Sequence, residues 1–234
     1  LMDKIFTKNI EHESAIKHVT GKAIYTDDIT EPKNLLHAVI GYSNCSKGII
    51  KKINYDEVFK SDGVVDIITE KDIEGINDVG PIFKGDKIFT SKYIEYYGQP
   101  IFAVVAKTNN LAKKAALKVK IDIKKTKPIV SIEEALKKKS FVLKPKYLKR
   151  GNIKDGFKKS KNILKGNLYS GGQDHFYLEG QISMTIPQED NNFLVYSSTQ
   201  HPSETQQIIG KVLNQNFNSI HVVVRRIGGG FGGK

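Results

Sequence analysis

Arg225-Arg226-Ile227-Gly228-Gly229-Gly230-Phe231-Gly232-Gly233-Lys234 directly follows the apolar run Ile220-His221-Val222-Val223-Val224. The run reads as a buried strand that ends in a loop. Five glycines fall within residues 228–233. Glycine loses more backbone freedom on folding than any other residue. A cluster of it is tolerated where the main chain must take positive φ, or where another group must come close. Successive N–H groups with no side chains in the way form a concave surface for an anion. The stretch therefore reads as a loop for a cofactor or a phosphate.

Three readings compete for it. Gly228-x4-Gly233-Lys234 fits the first seven places of a P-loop, whose deciding Ser or Thr is residue 235. Gly228-x-Gly230-x-x-Gly233 fits a dinucleotide fingerprint, without a following helix to receive a pyrophosphate. The third is a plain turn or linker, although a linker is usually flanked by Ser and polar residues rather than by a strand and two arginines.

Working outward, two further segments precede the loop: Gly171-Gly172-Gln173-Asp174-His175-Phe176-Tyr177-Leu178-Glu179-Gly180 and Ser198-Thr199-Gln200-His201-Pro202-Ser203-Glu204-Thr205-Gln206. The front half carries Val19-Thr20-Gly21-Lys22-Ala23-Ile24-Tyr25-Thr26-Asp27-Asp28 and Tyr97-Gly98-Gln99-Pro100-Ile101. In this order the segments resemble the molybdenum-binding part of the xanthine dehydrogenase family of molybdenum hydroxylases, over nearly the whole chain.

The resemblance implies an α+β fold: an α/β hammerhead-type domain followed by the beginning of a mixed α/β molybdopterin-binding domain. It implies a molybdenum–molybdopterin cofactor and oxidation of a ring carbon next to nitrogen, or of an aldehyde carbon, with water as the oxygen source. Gln173 matches the glutamine that hydrogen-bonds an oxo ligand of molybdenum. Gly230, Phe231 and Gly232 match loop residues whose backbone approaches the metal and the pterin. A turn-satisfying role for Gln173 and a core role for Phe231 are the ordinary alternatives. His175 is expected to pack as a hydrogen-bonded structural residue. Asp174 stands where many relatives carry Glu. Arg225 and Arg226 are expected either to support the loop, to meet a phosphate or to form an ordinary salt bridge. The family's substrate-binding glutamate directly follows the Gly-Phe-Gly-Gly-Lys segment, and its general base lies far beyond it. Residues 1–234 alone are therefore expected to be inactive. The start at Leu1-Met2 and the stop in mid-motif read as a piece of a longer polypeptide.

Composition excludes several classes. Hydrophobic residues make up 39% and charged residues 26%, which suits a globular chain. The net charge is +12, but only Arg150, Arg225 and Arg226 are arginine. Nucleic-acid recognition leans on Arg forks and stacking aromatics, and dispersed lysine supplies neither. No nucleic-acid partner is expected, and no membrane span, since no apolar run is long enough. The single cysteine, Cys45, forms no internal disulfide and builds no Cys-ligated cluster. A cytoplasmic location is expected. The resemblance implies that iron–sulfur clusters and FAD sit on a partner chain or another region, in a hetero-oligomer acting on a small purine. An aldehyde substrate is the alternative within the family.

Residues 1–124 read as the hammerhead-type domain, 125–162 as a Lys-rich connection and 163–234 as the truncated cofactor domain. In the first, residues 35–40, 49–53, 64–69 and 101–106 are strand-like, with 101–106 as the central strand. Asp56 to Lys60 makes a helical turn. Thr108 caps a helix whose apolar face is Leu111, Ala112, Ala115, Ala116 and Val119, and residues 121–123 alternate as a closing strand. In the connection, Ser131-Ile132-Glu133-Glu134 is a capping box for one short helix. In the third part, residues 163–169 are expected as a strand, 181–186 and 193–198 as a hairpin, and Ser203-Glu204-Thr205-Gln206 as a second capping box.

Overall fold

The computed structural model describes residues 11–234; Leu1-Met2 and the beginning of the first domain lie outside the described residues. Contacts divide the chain into two units. One holds the chain up to Lys125 together with His175–Lys234; the other is Thr126–Asp174. We keep 1–124, 125–162 and 163–234 as a proposed division into domains.

The first unit opens with α1 (Ala15–Val19), β1 (His37–Tyr42), β2 (Gly48–Asn54), α2 (Asp56–Phe59), β3 (Val64–Ile68), β4 (Tyr93–Ile94), β5 (Pro100–Ala106), α3 (Asn109–Ala116) and β6 (Lys120–Lys125). The apolar run in β5 is central, as its composition requires: it lies between β1 and β3, antiparallel to both. A second sheet has the order β4-β2-β6. Ile50 and Ile94 of that sheet share one core with Ile67, Ile101, Phe102 and Val104 of the first. Helix α3 starts where Thr108 Oγ1 accepts the Leu111 N–H, and it packs through Ala112 and Ala115, whose small side chains are fully buried.

The Phe102 ring explains a glycine in β1. Gly41 lies opposite Phe102 in the register, and a Cβ built on Gly41 falls 2.0 Å from the ring's Cζ. The ring is buried and meets Tyr55 edge-on at 5.5 Å between centroids. Gly41→Ala is expected to cost about 1–3 kcal/mol, the usual penalty of overpacking a core. Thermal unfolding of the variant checks this, and an unchanged midpoint would show that the ring can swing aside.

The Thr126–Asp174 unit contains α4 (Ile132–Lys137) and α5 (Ile153–Lys159). Ser131 Oγ accepts the Glu134 N–H at 3.1 Å, as its capping pattern requires. Helix α5 escapes the sequence reading; Asn152 Oδ1 caps it through the Asp155 N–H. Residues 163–169 form no strand: they are irregular and exposed, with Leu164 at 99% and Leu168 at 96% exposure. Their apolar, strand-like composition is not enough, because a strand needs a neighbour to take its backbone hydrogen bonds, and none among the described residues pairs with them.

The first unit closes with β7 (Ser183–Pro187), β8 (Phe193–Ser197), α6 (Pro202–Val212) and β9 (Ile220–Val223). β7 and β8 form the expected hairpin; β8 and β9 run parallel, with Tyr196 opposite Val223. A parallel pair needs a crossover, and α6 supplies it. The helix does not begin with a Ser203 capping box. It begins two residues earlier than that box requires, at Pro202, with His201 as the flanking residue and no side-chain cap. Proline at the first helical position has its φ preset and lacks an N–H that would have no partner within the helix, so the start moves to it. Parallel pairing then fixes the functional geometry: the chain leaves β8 and β9 at the same end of the sheet. Residues 198–200 and the glycine loop emerge side by side.

Candidate functional site

The loop folds as a tight turn. Gly233 N–H donates to Gly230 O at 2.8 Å, with positive φ at Phe231 (52°) and Gly232 (88°). Those signs belong to a type I′ turn, which favours Gly, Asn or Asp at both central places. A phenylalanine there is sterically unfavourable, and such outliers gather at functional sites. Phe231 is not a core residue: its side chain is 72% exposed.

The glycines serve close approach to protein groups. A Cβ on Gly228 would lie 2.4 Å from Glu179 Cβ, one on Gly229 2.9 Å from Tyr177 Cβ, and one on Gly230 2.7 Å from the Gln200 amide. At Gly232 a Cβ would meet nothing within 4 Å. The loop is therefore packed on one side and open on the other.

Glu179 is where the motif segments meet. Its Oε2 accepts the Gly228 N–H at 2.8 Å, the Ser198 hydroxyl at 2.8 Å and the Lys234 ammonium at 3.1 Å; its Oε1 accepts the Thr26 N–H at 3.2 Å. These donors come from residues 19–28, 198–206 and the loop itself. The pair is dry, with the Lys234 side chain fully buried and that of Glu179 6% exposed. The ammonium also lies 4.8 Å from the centre of the Tyr177 ring. Burial pushes the Glu179 carboxyl up, and the Gly228 amide, the Ser198 hydroxyl and the Lys234 ammonium outweigh it, so the group sits below its ordinary range.

Gln200 holds the far end of the loop. Its Oε1 accepts from Gly232 N–H at 2.8 Å and Lys234 N–H at 3.4 Å, while its own N–H donates to Lys234 O at 3.3 Å. Gln181 Nε2 donates to Gly233 O at 2.9 Å. Between the two anchors, the amides of Gly229, Gly230 and Phe231 donate to no group among the described residues. Three unengaged N–H groups, an open backbone at Gly232 and an outward Phe231 fit a large cofactor with oxygen acceptors. They would hold it by backbone approach. The P-loop reading fits less well, because a P-loop lysine reaches toward phosphate, whereas Lys234 turns inward onto Glu179.

The structure brings Gly230, Phe231 and Gly232 together on the turn. Gln173 belongs to the Thr126–Asp174 unit, in an irregular exposed stretch, while the loop belongs to the other. His175 is exposed rather than packed, with its Nδ1 beside Gly233. Neither Arg225 nor Arg226 forms an ion pair among the described residues. Arg226 instead donates to Ile24 O at 2.7 Å and Ser14 Oγ at 3.2 Å, supporting the strand that leads into the loop. No cluster of metal-ligating side chains occurs among the described residues, and no helix there is long and apolar enough to cross a membrane. The sequence reading missed Glu179 and Gln200 as individual residues. Both lie within quoted motifs, but nothing local shows that their partners are residues 228–234.

Two family models match side by side. The aldehyde oxidase and xanthine dehydrogenase a/b hammerhead domain covers residues 20–127, and the molybdopterin cofactor-binding domain covers residues 134–234. A xanthine dehydrogenase of Dictyostelium discoideum is 39% identical over 228 residues, which are 97% of this chain and 17% of that protein. An aldehyde oxidase 2 of Macaca fascicularis is also 39% identical over 228 residues, 96% of this chain and 16% of that one. The aldehyde oxidoreductase structure from Desulfovibrio desulfuricans superposes with a TM-score of 0.82 at 25% identity, over 95% of this chain and 27% of the other. The chain thus spans about a sixth of the length of the curated relatives it matches. With both domain models matched in order, and with the glycine loop anchored where their motifs meet, the chain belongs to the aldehyde oxidase and xanthine dehydrogenase family.

Proposed function

We propose that the intact protein is a molybdenum hydroxylase acting on purines of the hypoxanthine and xanthine type, and that this chain supplies its hammerhead domain and the opening part of its cofactor domain. The observation that carries the reading is the glycine loop. It is pinned at both ends by Glu179 and Gln200, with the intervening amides and the Phe231 ring left open. When bound, the molybdenum–molybdopterin group supplies the hydroxylation chemistry, with oxygen drawn from water. The chain's own residues bind and orient. The backbone at Gly230 and Gly232 lets the cofactor come close, and the Phe231 ring walls the site against water. The Gln173 amide presents a neutral donor, which adds hydrogen bonding without a competing charge. The substrate-holding and proton-accepting carboxylates are assigned beyond residue 234.

The purine substrate rests on residues 198–206, which resemble the xanthine dehydrogenase pattern. An aldehyde substrate is the second reading, favoured by the equal identity to an aldehyde oxidase. Electrons need a way out, and the chain has one cysteine, Cys45, which is buried. The iron–sulfur and flavin centres are therefore assigned to another region or to a partner subunit in a hetero-oligomer.

The full-length protein, isolated with its partners, is expected to contain molybdenum and a pterin in stoichiometric amount. It is expected to show a higher kcat/KM on hypoxanthine than on an aromatic aldehyde. Metal analysis and steady-state rates check both. Absence of molybdenum overturns the reading, and preference for the aldehyde replaces it with the second. Flavin bound stoichiometrically to the molybdenum subunit alone assigns that centre to another region of the same polypeptide and overturns its assignment to a partner subunit.

A further inference from the structure

The turn that presents Phe231 is not shaped by the loop's own sequence alone. Its central residues take positive φ, and one of them is a phenylalanine. Something must hold that conformation against its steric cost. One intraloop hydrogen bond, Gly233 N–H to Gly230 O, closes the turn. On its outgoing side Gln181 Nε2 and the Tyr177 hydroxyl donate to Gly233 O, and Gln200 alone engages both Gly232 and Lys234. One amide oxygen accepts from Gly232 and Lys234, the Gln200 backbone N–H donates to Lys234 O, and the side chain fills the space where a Gly230 Cβ would sit. On the incoming side, Glu179 accepts the Gly228 N–H, and its own N–H donates to Gly228 O at 3.4 Å.

We propose that Gln200 is a positioning residue: it touches neither cofactor nor substrate, but sets the turn at Gly230–Gly233 and so decides how Phe231 and the free amides of the loop are presented. This rests on the molybdenum hydroxylase reading for its catalytic consequence, and on the loop geometry alone for its structural one. The amide suits the task because a carbonyl oxygen has two lone pairs for two N–H donors and carries no charge into a site that awaits an anionic group. The parallel pairing of β8 and β9 places it there, since Gln200 lies just beyond the end of β8 and the loop just beyond that of β9.

The test uses the full-length protein with its partners. Gln200→Ala removes the shared acceptor; Gln200→Glu keeps an oxygen acceptor within reach of both amides. Amide hydrogen exchange is read on the peptide spanning residues 228–234. In Gln200→Ala it is expected to be about tenfold faster, the size of losing one to two ordinary hydrogen bonds, with Gln200→Glu close to wild type. Turnover per bound molybdenum is expected to fall about tenfold or more in Gln200→Ala, as misplacement of a preorganised site does, while KM changes little. Partial recovery is expected in Gln200→Glu. Unchanged exchange in Gln200→Ala overturns the proposal. So does faster exchange with undiminished turnover per molybdenum, which would make Gln200 merely structural. If the wild-type protein holds no molybdenum, the hydroxylase reading fails on that measurement, and the exchange result still decides whether Gln200 sets the turn.

Discussion

Turnover by the intact enzyme is expected to fall roughly tenfold to a thousandfold when Gln173 is replaced by alanine, the loss associated with removing one preorganised hydrogen-bond donor from a reacting centre. Stability is expected to hold. Gln173 lies in an exposed, irregular stretch and makes no hydrogen bond among the described residues, so truncating it opens no cavity and orphans no partner. Those two statements separate the roles open to this residue. A glutamine that only satisfies a turn would leave kcat unaltered. A glutamine that donates to the cofactor would lower kcat with an unaltered melting temperature and nearly full molybdenum content. The measurement is a pair: kcat normalised to bound molybdenum, and thermal unfolding. Wild-type kcat in Gln173→Ala would remove Gln173 from the site, leaving the glycine loop to carry the reading without it.

The hammerhead part of the fold was legible because its signals are local. The continuous apolar run of β5 implies burial on both faces, and that is where it lies. Thr108, and Ser131 in the following connection, sit before helices with nothing to displace them, and both cap. Where local signals failed, a neighbour or a constraint was decisive. Residues 163–169 have strand-like composition but no strand to pair with. Ser203 has the right spacing to Gln206 for a capping box, but Pro202 starts the helix ahead of it.

The site was legible only as a set of motifs. Glycine density marked residues 228–233 as a loop, the family resemblance singled out Gly230, Phe231 and Gly232 within it, and these three lie on the turn. Glu179 and Gln200 could not be singled out, because their partners lie 49 and 32 residues away in sequence. Only the parallel pairing of β8 with β9 shows that residues 198–200 and the loop share one end of the sheet. Lys234 misled in the opposite direction: beside the glycines it resembles the phosphate-binding lysine of a P-loop, yet its ammonium points into the protein.

Lys234→Met should destabilise the folded loop region by about 3–5 kcal/mol, the usual result of removing one partner from a buried ion pair. The lysine side chain is fully covered and the Glu179 carboxylate nearly so, so neither charge can recover hydration when the other is lost. The carboxylate would keep the Gly228 N–H and the Ser198 hydroxyl, which softens the loss. It would lose its counter-ion, while the lysine's removal also strips the cation from the face of Tyr177. The pH dependence tests the cause. In the wild type Glu179 is held below its ordinary range, with burial the largest single influence but outweighed by its three donors. A carboxyl lowered on folding contributes stability that is fully present above its unfolded value of about 4.3 and is lost as pH falls through its lower folded value. Without Lys234, burial would count for more and the folded value would rise. Acid loss of stability would then begin at higher pH in Lys234→Met than in the wild type. The double variant Glu179→Leu/Lys234→Met should regain part of the loss, since no buried charge is left, but not all of it, because Gly228 N–H and Ser198 lose their acceptor. Thermal unfolding of the full-length proteins across acid to neutral pH measures all three. Equal midpoints for wild type and Lys234→Met at neutral pH would show that the pair contributes nothing to holding the loop.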